Sequence, residues 1–349
     1  MFNPETERDF SQEDEIPSSE GEELRETSKE EKQEYISREE FERQLSQAEE
    51  LEIGERKIEV TTILPEEVKD EAWVVMIGGI ATGAKTYTDE LYEIAGSGRK
   101  ILFLNPDKGI DASEEDAAYF ESFGLPETIV SKTALVKAVL AEKSIESADI
   151  VRHSQGAIIA TAIGARDPHM ARHIVLDNPG GLTGEDSGVD LIGRSAKQLA
   201  AEQVYSVREA MKGNKGPLKR LNRAAGVMGK SFPRHLAWRL LQEIPGIAES
   251  KMAEMLETMK KQRDEHDGKG PKITLLTANE DAMFPDERIG ETLGYSESEN
   301  QEKREKPFAY IDNWAMYIRE GASHNAPSLE HPGALRQILQ ANKPDIEKP

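Results

Sequence analysis

A serine stands between a short apolar segment and a longer one, within Arg152-His153-Ser154-Gln155-Gly156. Residues 148–151 before it are typical of a buried strand, and residues 157–164 after it are typical of a packed helix. A strand, a His-Ser-x-Gly turn and a helix form the layout of a nucleophile elbow, whose sharp turn lifts the serine hydroxyl clear of the sheet. We therefore predict Ser154 as a nucleophile. Arg152 departs from the G-x-S-x-G pattern, which has glycine there, and its side chain needs room that glycine does not.

A serine nucleophile needs a base, and histidine is the usual one. His324 lies in the turn-rich segment 321–327 near the end of the chain, where it follows the serine and an acid in the order typical of this arrangement. The other six histidines suit the role less well, because they lie beside the turn, near a strand start, in a helical insertion or at a helix start. The alternative for His324 is an ordinary surface-loop histidine.

The carboxylate that orients the base is expected in the loop after the last strand but one. Residues 277–285 form that loop, and Phe284-Pro285 fixes its turn into the next helix. We predict Asp281 as the acid. Glu280 beside it is less favoured, and Asp177, at the end of an earlier strand, is the main rival.

An oxyanion that develops during acyl transfer needs backbone N–H donors. We predict two of them: the N–H of Gln155, directly after the serine, and that of Ile80, in the loop after an early apolar strand, with Ala81 as the alternative to Ile80. Gly78-Gly79 opens this loop and also suits an ordinary tight turn. A phosphate-binding loop is a weaker interpretation, because the pattern G-x-x-x-x-G-K-S/T has Ala84 where its second glycine belongs.

Short apolar strands alternate with helices along most of the chain. This alternation is typical of an α/β fold with a mostly parallel sheet covered by helices on both faces. The predicted strands are 57–63 (an edge strand, from its alternation), 72–77, 100–104, 148–151, 173–177, 272–276 and 308–311. The predicted helices are 128–142, 157–164, 191–211, 234–244 and 248–264.

Charge is distributed unevenly over the 349 residues, whose net charge is −22. Residues 1–50 contain eighteen Asp or Glu and six Lys or Arg, a net of −12. They have few aliphatic residues and no sustained apolar periodicity, so they bury too little surface to offset the loss of chain entropy. We expect residues 1–52 to be an acidic tail, disordered or partly helical, that is not part of the core. A solvated tail is the plain interpretation, and a docking segment for a basic partner is the other.

The stretch 194–239 reverses this sign, with eleven Lys or Arg against two Glu, a net of +9. Strand signals vanish between residues 182 and 270, and we predict a helical cap inserted at 184–270. A solvated lid face is the plain interpretation of its basic stretch. Two others are electrostatic attraction of an anionic acyl group or headgroup and contact with an anionic membrane surface. The apolar residues that favour membrane contact are Leu236, Trp238, Leu240 and Leu241.

Composition excludes several classes of function. The chain has no cysteine, which excludes disulfides, thiolate nucleophiles and cysteine-ligated metals. A pI near 4.9 disfavours general binding to nucleic acid. The sequence shows neither a signal peptide nor a transmembrane segment. We expect a cytoplasmic protein, whose oligomeric state is left open.

Four segments together resemble the α/β-hydrolase superfamily, specifically its capped serine hydrolases of the esterase and lipase type. They are the strand and turn at 73–79, the elbow at 153–156, the acid loop at 279–285 and the histidine segment at 323–332. Their order and spacing cover roughly residues 57–342. The departures are Gly78, where the family often has histidine, Arg152, and Ser323, where glycine usually precedes the histidine.

The resemblance implies a hydrolase core at 53–183 and 271–345, interrupted by the cap at 184–270. It implies a Ser154–His324–Asp281 triad, with Gln155 and Ile80 as oxyanion donors, that acts through an acyl-enzyme. It implies no metal and no organic cofactor.

The implied partner is a small acyl substrate, most simply a carboxylic ester, with a thioester or an amide as alternatives. Two other functions remain open. One is an acyltransferase or lyase that uses the same triad. The other is a catalytically silent binding protein that keeps the fold, which Arg152 favours.

Overall fold

The computed structural model describes residues 35–79, 82–184, 186–213, 243–294, 311–317 and 332–341, together with residues 218 and 222. The strands are β1 (Glu49–Ile53), β2 (Arg56–Ile63), β3 (Asp70–Ile77), β4 (Arg99–Leu104), β5 (Ala148–His153), β6 (Ala171–Asp177), β7 (Lys272–Ala278) and β8 (Asn313–Tyr317). The helices are α1 (Arg38–Ser46), α2 (Thr88–Ala95), α3 (Glu114–Glu121), α4 (Glu127–Glu142), α5 (Gly156–Arg166), α6 (Gly188–Met211), α7 (Ile244–Glu249), α8 (Met252–Glu265), α9 (Asp286–Thr292) and α10 (Gly333–Ala341).

The eight strands form one sheet in the order β1-β2-β4-β3-β5-β6-β7-β8. The pairings of β2 with β1 and with β4 are antiparallel, and all the others are parallel. A parallel pair requires a crossover connection, usually through a helix that covers one face of the sheet. The predicted α/β class with a mostly parallel, helix-covered sheet is confirmed.

Each face of the sheet carries its own apolar layer. On β5, Ile150 belongs to the layer under α4, α5 and α8, whereas the next residue, Val151, belongs to the layer under α1, α2 and α10. This alternation follows from the two-residue repeat of a strand. Helix α5 lies especially close to its neighbours, because a Cβ on Gly164 would stand 2.6 Å from Ile174 Cδ1 and 2.7 Å from Met259 Cε. A central sheet buried on both sides therefore holds the strand that leads to Ser154.

The structure corrects two strand predictions. The segment 57–63 is not an edge strand, because β1 pairs with β2 along its outer side. The last strand is Asn313–Tyr317 rather than 308–311, of which residues 308–310 lie outside the described residues and Ile311 is buried just before the strand. Asp312 explains the shift: its N–H donates to Ile273 O at 2.9 Å and its carboxylate accepts from Ile273 N at 2.7 Å, so ladder pairing with β7 begins at the following residue.

The predicted acidic tail, 1–52, extends too far along the chain, because residues 38–52 belong to the fold. Helix α1 begins with Ser37, whose hydroxyl accepts from the Glu40 N–H at 3.2 Å, and it buries Phe41 and Leu45 against the sheet. Strand β1 then joins the sheet. The two apolar residues lie four positions apart on one face of the helix, and the acidic residues around them obscure this pattern. Residues 1–34 of the predicted tail lie outside the described residues.

The C-terminal part of the segment predicted as a cap, 184–270, packs on the sheet instead. Helix α8 buries Met255, Leu256 and Met259 in the apolar layer that it shares with α5, so it covers the sheet. Helix α6 confirms the predicted helix at 191–211. Most of the basic stretch, including residues 223–242 with the apolar residues 236–241, lies outside the described residues, so the cap stays a prediction. Within the described part of the chain, no helix combines the length and apolar character needed to cross a bilayer.

Candidate active site

The turn between β5 and α5 holds Ser154 in a strained backbone conformation. Its φ is +55°, in the left-handed region that costs a residue with a side chain about 1–2 kcal/mol. Three backbone hydrogen bonds hold the turn: Ser154 N–H donates to Asp177 O at 3.1 Å, and Ser154 O accepts from Ala157 N at 3.0 Å and Gly180 N at 3.2 Å. Such over-determined strain is typical of functional sites. The predicted elbow motif thus forms a tight turn at the end of β5.

Gly156 and Arg152 face each other beneath this turn. A Cβ on Gly156 would stand 3.0 Å from Ile77 O, 3.3 Å from Gly78 O and 3.3 Å from Arg152 Cδ. The Arg152 side chain is fully buried, and its Nη1 donates to Val151 O. Burial away from water lowers the pKa of this guanidinium well below its ordinary value. The Arg152 side chain, which stands where the G-x-S-x-G pattern has its first glycine, therefore lies under the turn, in space left by Gly156.

The loop after β3 passes directly beside the nucleophile. A Cβ on Gly79 would stand 3.5 Å from Ser154 Cβ and 3.3 Å from His153 Nδ1, so only glycine allows so close a backbone approach without displacing a neighbour. The predicted donors Ile80 and Ala81 follow immediately and lie outside the described residues.

Tyr87 anchors this loop, and the sequence analysis missed it. Its hydroxyl accepts from Gly79 N–H at 3.3 Å, donates to Thr82 Oγ1 at 3.3 Å and lies 3.4 Å from His153 Nδ1. Thr82 Oγ1 in turn donates to Gly79 O at 2.9 Å. Burial raises the pKa of the Tyr87 phenol above its ordinary value. The Gly79 N–H that a phosphate-binding loop would offer to a phosphate is bonded to this phenol, and no sequence signal marks the tyrosine.

Gln155 begins the first turn of α5, where backbone N–H groups lack partners within the helix and attract negative charge. Its side chain is buried, and its Oε1 accepts from Lys132 Nζ at 3.1 Å. The same Nζ lies 2.5 Å from Glu243 Oε1. The sequence analysis also missed this pair, which adds two buried charges beside the elbow.

The loop after β7 presents Asp281 as a buried carboxylate. Its Oδ1 accepts from Met283 N at 2.8 Å and from Phe284 N at 3.1 Å, so the loop backbone fixes the carboxyl group. Its neighbour Glu280 is exposed. The rival Asp177 is buried at the end of β6, directly opposite His153 in the register of β5 and β6.

Solved structures share this architecture. The chain is similar to a serine hydrolase from Cycloclasticus zankles, with 14% identity and a TM-score of 0.54 over 84% of this chain and 98% of the other. It is similar to Est816, an N-acyl homoserine lactone degrading enzyme, with 13% identity and a TM-score of 0.53 over 84% and 100%. It is also similar to an alpha/beta hydrolase fold protein from Chitinophaga pinensis, with 12% identity and a TM-score of 0.52 over 85% of this chain and 98% of the other. The chain has the α/β-hydrolase fold. No family model matches the chain, and no curated protein matches its sequence.

Within the α/β-hydrolase fold, the carboxyl ends of parallel strands meet at one edge of the sheet. Strands β3, β5 and β7 end there, before Gly78, Ser154 and the Asp281 loop respectively. Strand β8 runs parallel to β7 and ends at Tyr317, paired with Ala278, so the chain leaves the sheet at this same edge seven residues before His324. His324 itself lies outside the described residues.

One further buried histidine lies away from the elbow. His173 lies near the start of β6, away from the elbow, and its Nε2 contacts Thr274 Oγ1 at 2.8 Å. Burial lowers its pKa to about 4. Among the described residues no group of three or more His, Asp or Glu has the arrangement of a metal site.

Proposed function

We propose that the protein is a serine hydrolase that cleaves a carboxylic ester through an acyl-enzyme, with Ser154, His324 and Asp281 as its triad. One observation carries this proposal: Ser154 occupies a left-handed turn between β5 and the start of α5, with the Gly79 backbone beside it. This conformation presents a serine hydroxyl above the sheet and the first amides of a helix beside it.

In the proposed mechanism, His324 takes the Ser154 proton while Ser154 Oγ attacks the ester carbonyl carbon. The N–H groups of Gln155 and Ile80 hold the oxyanion of the tetrahedral intermediate, each worth roughly 3 kcal/mol in the transition state. The intermediate collapses, the C–O bond to the leaving alcohol breaks, and His324 gives that alcohol its proton. Water, deprotonated by His324, then attacks the acyl-enzyme and releases the acid and the free serine.

Asp281 would orient His324 and stabilise its protonated form. Two features favour it over its rivals. Its Oδ1 is held by two backbone N–H groups at the carboxyl edge of the sheet, and Glu280 beside it is exposed. Asp177 lies opposite His153, and its charge acts on the Tyr87 phenol on that side of the elbow.

Two alternatives differ from this proposal in kind. An acyltransferase or lyase with the same triad would pass the acyl group to an alcohol or thiol. A silent binding protein would need Arg152 to block the site, but the Arg152 side chain bonds Val151 O beneath the turn, which gives that alternative no support. The basic lid at 194–239 and its contact with an anionic substrate or membrane surface stay predictions, because residues 223–239 lie outside the described residues.

The test is turnover of a panel of p-nitrophenyl esters and acyl thioesters by the wild-type protein and by Ser154→Ala and His324→Ala. The proposal expects release of the free acid by the wild type only. Added alcohol acceptors distinguish the alternatives, because a transferase forms a new ester in preference to the acid. A folded wild type that turns over neither esters nor thioesters would contradict the proposal.

A further inference from the structure

Three buried side chains form a chain of contacts beside the elbow: Glu243, Lys132 and Gln155. Lys132 Nζ lies 2.5 Å from Glu243 Oε1 and 3.1 Å from Gln155 Oε1. The side chains of Lys132 and Glu243 are only 6% and 2% exposed. Two charges withdrawn this far from water lose their hydration, so a well-packed apolar pair of the same volume would often serve stability as well. The presence of a charged pair at this place therefore calls for a reason other than stability.

Among the described residues, Lys132 is the hydrogen-bond partner of the Gln155 side chain. An ammonium can only donate hydrogen bonds, so it fixes the carboxamide with Oε1 toward Lys132 and Nε2 away from it. Nε2 is buried and has no hydrogen-bond partner among the described residues. Loss of Lys132 would remove the hydrogen bond that orients the Gln155 carboxamide. This matters because the backbone N–H of the same residue is the proposed oxyanion donor.

The backbone that carries Lys132 is itself firmly held. A Cβ on Gly109 would overlap the peptide between Ser131 and Lys132, and Ile110 N–H donates to Ser131 O at 3.1 Å. The loop after β4 thus packs directly on this turn of α4. Lys132 projects from a fixed point toward the elbow.

Glu243 is the residue directly before α7. Helix α7 also packs against Gly180, which bonds the elbow. A Cβ on Gly180 would stand 2.8 Å from Ile247 Cγ2, and the Gly180 N–H is the group that donates to Ser154 O at 3.2 Å. On its other side, α7 rests against the start of α4, where a Cβ on Gly246 would stand 2.5 Å from Pro126 Cγ. Glu243 is therefore linked to the Gln155 side chain through Lys132, and Ile247 packs against Gly180, whose N–H bonds the Ser154 carbonyl oxygen.

We propose that Lys132 and Glu243 are positioning residues for the oxyanion donor. The ion pair joins the start of α7 to α4. Lys132 then fixes the Gln155 side chain so that the Gln155 backbone N–H faces the reacting carbonyl. This inference rests on the proposed serine hydrolase function. It assigns no contact with substrate to either residue.

The test compares Lys132→Met, Glu243→Gln and the double variant Lys132→Met/Glu243→Met in the full chain. Lys137→Met is the matched control, because Lys137 lies on the same helix and pairs with Asp116 at 2.6 Å and Asp167 at 2.8 Å. Two quantities are measured for each protein: the second-order rate of Ser154 labelling by a fluorophosphonate, read by intact mass, and the urea midpoint of unfolding.

We expect Lys132→Met and Glu243→Gln to slow labelling at least about tenfold and to lower the urea midpoint, because each breaks a buried ion pair. The double variant recovers stability relative to the single variants, since neither charge of the pair remains, but its labelling stays slow because Lys132 no longer bonds Gln155. Lys137→Met labels within about twofold of the wild type.

Two results overturn the inference while the proposed function stands. One is wild-type labelling rates in both single variants. The other is a double variant that regains its labelling rate together with its stability, which indicates a purely structural pair. A folded wild type that does not label at all overturns the proposed function and this inference together.

Discussion

Arg152 and Gly156 share one space beneath Ser154, because the Arg152 Cδ lies 3.3 Å from the place where a Cβ on Gly156 would stand. The two residues occupy the first and last positions of the elbow motif, where the usual pattern has glycine at both. One glycine therefore makes room for the side chain that replaces the other. The relationship explains how a bulky residue fits beneath the turn without displacing the nucleophile.

Replacing Gly156 with alanine should damage the turn. The new Cβ would meet the Ile77 carbonyl oxygen at 3.0 Å as well as Arg152, and backbone atoms cannot move aside as a flexible side chain can. We expect a loss of about 1–3 kcal/mol in the free energy of unfolding, measured in urea, because the site becomes overpacked. Labelling by a fluorophosphonate should slow by about tenfold or more.

Gly193→Ala is the matched control for this substitution. Gly193 lies in α6, and outside its own helix backbone no described atom lies within 4 Å of its Cβ position, so the added methyl group meets no described neighbour. Alanine should raise the free energy of unfolding by up to about 1 kcal/mol through helix propensity, with unchanged labelling. Equal effects of the two substitutions would show that the Arg152–Gly156 contact imposes no constraint.

The strain at Ser154 predicts an unusual order of stability for two inactive variants. Glycine adopts a φ of +55° without steric cost, whereas alanine does not. Ser154→Gly should therefore exceed Ser154→Ala by about 1 kcal/mol in the free energy of unfolding, measured in urea. At Ser195, inside α6, the order should reverse, since glycine is the poorer helix former. The same order at both sites would contradict a strained elbow.

Asp281→Asn should separate the structural role of this residue from its chemistry. The asparagine Oδ1 can still accept from the N–H groups of Met283 and Phe284, so stability should stay within about 1 kcal/mol of the wild type. Ester turnover should fall by about 10³–10⁴-fold, because the base loses its orienting charge. The measurements are kcat on the best ester and the urea midpoint.

Two neighbours serve as controls for the acid. Glu280 is exposed, and Glu280→Gln should keep kcat within about twofold of the wild type. Asp177→Asn tests the rival directly. If this variant loses turnover and Asp281→Asn does not, the acid is Asp177 at the end of β6 and the Asp281 assignment is wrong.

His173 should make stability depend on pH below neutrality. Burial lowers its folded-state pKa from 6.5 to about 4, so between these values the unfolded chain binds a proton at this residue and the folded chain does not. Its contribution is fully present above pH 6.5 and falls by about 3 kcal/mol as the pH drops toward 4. His173→Gln removes this proton-binding site. The free energy of unfolding of the wild type should therefore fall relative to that of the variant as the pH drops. Parallel curves in urea between pH 7 and pH 4 would exclude the effect.

The sequence predicts the parts of this molecule whose signals are local. Residues 74–77 of β3 are buried and appear as a continuous apolar run, and the elbow lies within seven consecutive residues. The β8 prediction failed because Asp312, a loop residue by type, sets the start of that strand through its contacts with Ile273. Phe41 and Leu45 escaped notice because a strongly acidic composition hid two core residues.

Contacts between distant residues could not be predicted in the same way. Lys132 and Glu243 are 111 positions apart, and each by itself is typical of a solvated surface residue. Tyr87 lies 66 positions from His153, and nothing around it marks a support for the loop after β3. These residues become visible only when the fold brings buried polar groups together.

Covalent labelling with a fluorophosphonate, read by intact mass on the wild type and Ser154→Ala, tests whether Ser154 is an activated nucleophile. We expect a single adduct on the wild type, located at Ser154 by peptide mapping, and none on Ser154→Ala. Absence of any adduct on a folded wild type, or an adduct that persists in Ser154→Ala, would contradict an activated serine at this elbow.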